Sequence, residues 1–382
     1  MIARPFAWTE EHEEFRGVLR RKLESLDAVG AARRELAATG DGPEADSTWS
    51  MLCTELGLGG LTLPEEYDGS GCGRVEQSIV GEELGRALAG GTYLPTVVLA
   101  AQAVLRSGDV DAAARLLPGI ASGTARAALA VAEGGASWRL GEPSATTARA
   151  DDISGAWQVT GVKTPVVGAA EADWFVVAAR EPDGVGSLFL VEGRDAVALR
   201  PLEPLDATRS VAEVEFRATP ARRLGEAGAA LAVLEVVREG AAIYLAAEQA
   251  GGSAACVALT TEYVGGRIQF GVPVGRFQGV KHRLADMHLR TEHARSAALW
   301  AAWQEPGSDL AAMGASVART YASEAFVQTA FDTIQLHGGI GITWEHDAHL
   351  FLRRAQSSAA LLGPAWSERS RLTSYIEKEA RG

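Results

Sequence analysis

The rhythm of hydrophobic positions divides this chain into three zones. From Trp8 to about Gly123 they return with a helical period, and Phe15, Val18, Leu19, Leu23 and Leu26 fall on one stripe. Thr9 stands where an N-cap belongs, followed by Glu10, Glu11 and Glu13 in the first turn, where the helix dipole favours acids. Gly and Pro break the period between Leu61 and Gly71, which predicts a loop, and the helical pattern resumes over Glu76 to Leu88. From about Ala127 to Phe216 the chain turns to short runs of Val, Trp, Phe and Leu divided by Gly, Asp and Pro. Trp174 to Ala179 and Ser187 to Val191 predict two strands joined by a turn at Gly184–Gly186. Ala212, Val214 and Phe216 alternate with Glu213, Glu215 and Arg217, which predicts a strand with one wet face.

After Gly228 the pattern is helical to the end. Leu231 to Tyr263 predicts a single helix of about 50 Å. Arg276–Trp303, Asp309–Leu336, Asp347–Leu361 and Ser367–Glu379 follow with short connections, as in an antiparallel bundle. This texture alone gives the α+β class, without internal repeats.

A length of 382 residues calls for two or three packed units. A net charge of −13, with 36 basic residues scattered among 49 acids, argues against a nucleic-acid partner. Cys53, Cys72 and Cys256 match no metal or disulfide spacing, so reduced thiols are expected. The N-terminal residues lack a signal-peptide core, and the apolar run Gly240–Ala247 is closed off by Glu239 and Glu248, too short to span a bilayer. These features predict a cytoplasmic protein without membrane attachment.

Two segments carry the candidate chemistry. Between Arg267 and Met287 stand Arg267, Phe270-Gly271, Pro273, Gly275, Phe277-Gln278 and Lys281-His282; further on comes Gln335-Leu336-His337-Gly338-Gly339-Ile340-Gly341, then Arg353. Arg267 offers a fixed cationic fork suited to a pyrophosphate. Gly338, Gly339 and Gly341 would let backbone approach a phosphate or ribose closely. Phe270 and Phe277 offer apolar surface for an adenine.

In order and separation these segments resemble the acyl-CoA dehydrogenase family, with weaker echoes at Leu63–Gly71, Gly161–Lys163 and Asp206–Arg209. The resemblance implies an N-terminal helical domain (1–126), a middle β-barrel or sandwich domain (127–226) and a C-terminal four-helix bundle (227–382). It also implies FAD as cofactor, an acyl-CoA thioester as substrate and an electron-transfer flavoprotein as acceptor. In the family these groups grip the adenine and pyrophosphate end of an FAD held mainly by the neighbouring subunit. Arg267, Phe270, Gln278, Gln335, Gly338, Gly339 and Gly341 would therefore act across an interface.

A second set of family features is largely gone. The strand that ends Tyr-x-Val-Thr-Glu-Pro in active members reads Leu129-Ala130-Val131-Ala132-Glu133-Gly134. Lys-x-Trp-x-Thr becomes Lys163-Thr164-Pro165-Val166-Val167, and Glu-Gly-Thr-x-Gln becomes Leu362-Gly363-Pro364-Ala365-Trp366. Leu362 occupies the place of the catalytic glutamate, and the alternative site for that base falls at Ala241. Loss of a general base costs about 10²–10⁴-fold. Glu239 and Glu248 are candidates for a relocated base, with a helix-surface or interfacial ion pair the expected role for each. His346 and His349 suggest helix capping or surface placement more than metal ligation, and Ser357 and Ser358 have no histidine at a hydrolase spacing.

By resemblance, the chain is expected to be the non-catalytic subunit of a heteromeric acyl-CoA dehydrogenase, beside a homologous catalytic chain. The alternatives are an autonomous flavoenzyme with a relocated base or altered chemistry, and a flavin-free scaffold.

Overall fold

A computed structural model describes residues 8–26, 29–30, 44–89, 91–134, 145–151, 155–363 and 365–381. They group into two compact units, one formed by 1–37, 74–89 and 242–382, the other by 38–73 and 90–241.

The second unit is built around a small closed sheet. Its strands are β1 (Ala127–Ala130), β2 (Thr147–Ala150), β3 (Trp157–Val167), β4 (Trp174–Arg180), β5 (Gly186–Glu192), β6 (Ala198–Pro201) and β7 (Val211–Leu224). The order β4-β2-β3-β7-β5 closes on itself because β5 pairs with β4, while β1 lies parallel on β4 and β6 pairs with β7. Closure leaves few free edges. Val159, Phe175, Val177, Phe189, Val214 and Phe216 fill the interior.

The expected turn between β4 and β5 is present, and Ala212, Val214 and Phe216 are buried on the inner face of β7 as the alternation predicts. That strand runs seven residues past Arg217. Ala218 takes a left-handed φ of 51° beside a register shift, which breaks the alternation and lets β7 turn to pair with both β3 and β5. Around the barrel lie α2 (Glu44–Leu56), a π-helical stretch Leu94–Ala101 running into α4 (Gln102–Arg106), and α5 (Val110–Ala121).

The first unit is helical: α1 (Glu10–Ser25), α3 (Arg74–Arg86), residues 242–266 of α6 (Ala230–Gly266), α7 (Gln278–Ala302), α8 (Asp309–His337), α9 (Ala348–Ala360) and α10 (Ala365–Arg381). Thr9 caps α1 in a reciprocal box with His12. Of the expected stripe only Leu19 and Leu23 are buried, because Arg16 and Arg20 join the inward face to pair with Glu82 and Glu83 of α3. The helix α3 in turn lies tight on α6. A Cβ on Gly85 would sit 2.0 Å from the Glu248 carbonyl oxygen, and one on Gly251 would sit 1.8 Å from that of Glu82, so backbone meets backbone at both points. α7 runs along α8, with α9 and α10 packed on the same helix. Among the described residues no helix is long and apolar enough to cross a membrane.

Candidate functional site

The sequence motif at Arg267 begins where α6 ends. The Arg267 amide donates to the Tyr263 carbonyl, and its own carbonyl accepts from Val274 at 2.8 Å, closing a hairpin of β8 (Ile268–Gln269) and β9 (Val272–Pro273). The tip carries Phe270 with a left-handed φ of 52° and 91% of its surface exposed. A bulky residue held in that region is strained. Its ring meets Phe277 edge-on, with centroids 6.0 Å apart. Gln278 then opens α7, whose N-terminus has no side-chain cap, so its first amides keep their positive character. Arg267, Phe270, Phe277 and Gln278 are all exposed.

The glycine motif lies where α8 ends. Gln335 is exposed in the last turn, and Gly338 (φ 64°) caps the helix. Gly338 and Gly339 are exposed, with open space where a side chain would project. Gly341 is different: it is buried, and a Cβ there would lie 2.9 Å from His337 Cβ and from the Ile334 carbonyl oxygen. Its missing side chain lets the turn pack closely on α8.

Three rings connect the two motifs. Tyr263 stacks on His337 at 4.4 Å and 25°, and His337 lies 4.4 Å from His346, which stands 6.4 Å edge-on to Tyr263. Sequence reasoning gave no role to Tyr263 or His337, because their meeting depends on two helices ending side by side.

Leu362, which the resemblance sets at the place of the family's glutamate, is buried in the helical unit at 6% exposure with a φ of 59°. The turn is pinned by Arg319, a buried residue the sequence did not single out. Its guanidinium donates to the carbonyls of Leu361 (2.7 Å) and Ser358 (2.5 Å) and to Gln249 Oε1 (3.1 Å). Ala241 is fully buried. Glu248, expected on a helix surface or at an interface, is instead 2% exposed and ion-paired with Arg354 at 3.4 Å; Glu239 is buried as well. The gap between α3 and α6 is too narrow to leave that stretch of α6 wet.

In the barrel unit, Ala132 and Val167 are buried apolar residues. The neighbouring Glu133 and Lys163 form an ion pair at 2.7 Å, with the Lys163 ammonium also donating to the Val131 carbonyl. Burial pulls Lys163 down to about 8 against the hydrogen bond and charge of Glu133. Burial opposes ionisation of Glu133 too. Hydrogen bonds from Lys163 and from the amides of Ala145 and Thr146, with the lysine charge, outweigh it and hold the carboxyl well below the usual range. Asp206 accepts from the amide and hydroxyl of Thr208, so the echo at Asp206–Arg209 includes a self-closed turn. Pro364 lies outside the described residues.

His346 accepts the Ala348 amide at the start of α9, the capping role expected of it, and His349 meets Trp344 edge-on. Among the described residues no three His, Cys, Asp or Glu side chains come together to hold a metal. Burial pushes the thiols of Cys53 and Cys256 up to about 12, which makes them poor nucleophiles.

Sequence profiles of the acyl-CoA dehydrogenase N-terminal and C-terminal domains match residues 9–124 and 231–373. The chain belongs to the acyl-CoA dehydrogenase family of oxidoreductases, whose members depend on FAD. It is 34% identical to acyl-CoA dehydrogenase IpdE2 of Mycobacterium tuberculosis over 91% of this chain and 93% of that one. Among solved structures, a steroid ACAD, Tcur3481-Tcur3483, superposes with a TM-score of 0.83 at 30% identity, covering 98% of this chain and 99% of that one. The ChsE4-ChsE5 complex from Mycobacterium tuberculosis does so at 0.85 and 26%, with the same coverage. The α+β fold, with helices, a small β sheet and a helical C-terminal region, is that of the family.

Proposed function

We propose that this chain is the non-catalytic member of a heteromeric acyl-CoA dehydrogenase, gripping the ADP half of an FAD whose ring and catalytic glutamate belong to a homologous partner chain. One contrast carries the reading. The residues suited to adenine and pyrophosphate are exposed and open, whereas both positions for a base hold buried hydrocarbon, Leu362 and Ala241. Arg267 and the uncapped amides of α7 fit a diphosphate, and the Phe270–Phe277 pair fits an adenine face. Ala132 and Val167 offer no side-chain hydrogen bond to an isoalloxazine. The fit is therefore to half of the cofactor.

Bound FAD would supply the two-electron acceptor for α,β-dehydrogenation of an acyl-CoA. This chain's part is to bind and orient the dinucleotide, and the site for proton abstraction lies with the partner. Two of the similar solved structures carry names that pair two chains, and one of those is called a steroid ACAD, which favours a paired assembly and a bulky acyl group here. Electrons would leave through an electron-transfer flavoprotein.

The test is flavin content. The chain expressed alone should be colourless, and the assembly with a glutamate-bearing homologue should be yellow. Arg267→Ala should weaken FAD retention in that assembly about tenfold or more, as expected for lost charge-assisted hydrogen bonds. Stoichiometric FAD in the isolated chain, with turnover, would refute the proposal and favour an autonomous enzyme.

A further inference from the structure

Arg267 and Gln335 are far apart in sequence and stand on the ends of different helices, so something must set the spacing of the two motifs. The interval from Tyr263 to Arg267 is one helical turn, closed by the Arg267 amide on the Tyr263 carbonyl at 2.9 Å. His337 directly precedes Gly338 and is buried, with Nδ1 bonded to the Thr333 carbonyl at 2.7 Å. Whatever joins Tyr263 to His337 therefore joins the arginine arm to the glycine arm.

We infer that the Tyr263–His337–His346 ring stack is the positioning element that holds the two arms of the dinucleotide grip in register, an inference that rests on the function proposed above. Nδ1 of His337 faces a carbonyl, so it carries the proton, and Nε2 is left as a buried lone pair without a partner. Burial, with His346 close by, lowers the pKa of His337 and keeps the ring neutral while stacked. Nothing in this arrangement needs the second nitrogen. The ring is used as a flat surface against Tyr263 and His346. His346 is itself fixed by accepting the Ala348 amide, which ties the stack to the first turn of α9.

The roles of stacking and of simple fold support separate by conservative substitution. In the purified assembly of this chain with its glutamate-bearing homologue, FAD release is followed by the rise in flavin fluorescence after dilution. His337→Ala and Tyr263→Leu should each release FAD about tenfold faster than wild type, equivalent to about 1.4 kcal/mol. His337→Phe and Tyr263→Phe keep a flat ring and should stay within about twofold of wild type, about 0.4 kcal/mol. If His337→Ala does not fold, the Tyr263 pair carries the comparison, since Tyr263 is only half-buried. Equal release from the leucine and phenylalanine variants of Tyr263, or wild-type release from every variant, overturns the positioning role. Arg267→Ala distinguishes the two levels. If it speeds release while the ring variants do not, only this inference fails. If it too has no effect, or no assembly of this chain holds flavin, the proposed function fails with it.

Discussion

Removing the ammonium of Lys163 should be among the most damaging single changes in the barrel unit. The side chain is completely buried, and Nζ sits 2.7 Å from Glu133 Oε1 and 3.1 Å from the Val131 carbonyl oxygen. Lys163→Met keeps the aliphatic stem but takes the ammonium away from the Glu133 carboxylate, which also accepts from the amides of Ala145 at 2.8 Å and Thr146 at 2.9 Å. Breaking one side of a buried pair costs about 3–5 kcal/mol, whereas replacing both partners with neutral groups of similar volume is often near neutral. Lys163→Met should therefore lose about 3–5 kcal/mol in urea unfolding at pH 7 followed by far-UV circular dichroism. The double variant Lys163→Met/Glu133→Gln should recover much of that loss, a strongly non-additive cycle.

The pH profile supplies an independent check. Glu133 titrates lower in the folded chain than its ordinary 4.5, so the unfolded chain binds the proton first; its stabilisation is full above that value and is lost as pH falls. Lys163 titrates at about 8 when folded against 10.5 ordinarily, so between those values the unfolded chain holds more protons and stability rises with pH. Lys163→Met should abolish the alkaline rise, and Glu133→Gln should flatten the acid decline. Additive single effects below about 1 kcal/mol each, the range of exposed pairs, would refute the assignment of this pair as a buried anchor.

Leu362→Glu restores the residue that the family resemblance implies at this position, yet it should leave acyl-CoA dehydrogenase turnover of the isolated chain at background, because Ala132, Val167 and Pro165 still offer no side-chain hydrogen bond to a flavin ring; measurable turnover in that single variant would contradict this. Gly251→Ala forces a methyl group to within 1.8 Å of the Glu82 carbonyl oxygen and should cost at least about 1–3 kcal/mol as α3 is pushed away, measured by the urea midpoint; a neutral result would mean that this helix contact yields readily.

The long helices were legible because their apolar period persists over many turns and Gly or Pro marks their ends. Leu231–Tyr263 was expected and Ala230–Gly266 is found; Arg276–Trp303 was expected and Gln278–Ala302 is found, the difference being a 3₁₀ turn at Val274–Arg276. The π-helical stretch Leu94–Ala101 was not legible, since a run buried on all sides has no period to read. Nor was the grouping of α1 and α3 with the C-terminal helices, which depends on Gly85 and Gly251 admitting close contact. At the site, the motif residues could be named from their resemblance to the family's motifs. The groups that support them could not: Arg319 reaches the Leu361 carbonyl across 42 residues and Lys163 reaches Glu133 across 30, and no local pattern encodes such pairings.

Those supporting groups sharpen the division of labour. Of the two barrel stretches that the resemblance marks as having lost ring contacts, one holds Glu133 and the other Lys163. These two bond to each other, so their presence is accounted for by the barrel's own stability. The exposed residues of the two motifs have no such account. Phe270 exposes 91% of its surface from a left-handed backbone position, a conformation that costs folding free energy and returns almost no burial. Arg267 and Gln335 are likewise exposed, so truncating them should barely move the unfolding midpoint. A chain that bears local strain for residues its own fold does not use is built for something that binds there. On the function proposed above, buried hydrocarbon at Leu362 and Ala241 leaves proton abstraction to an acid of the partner chain.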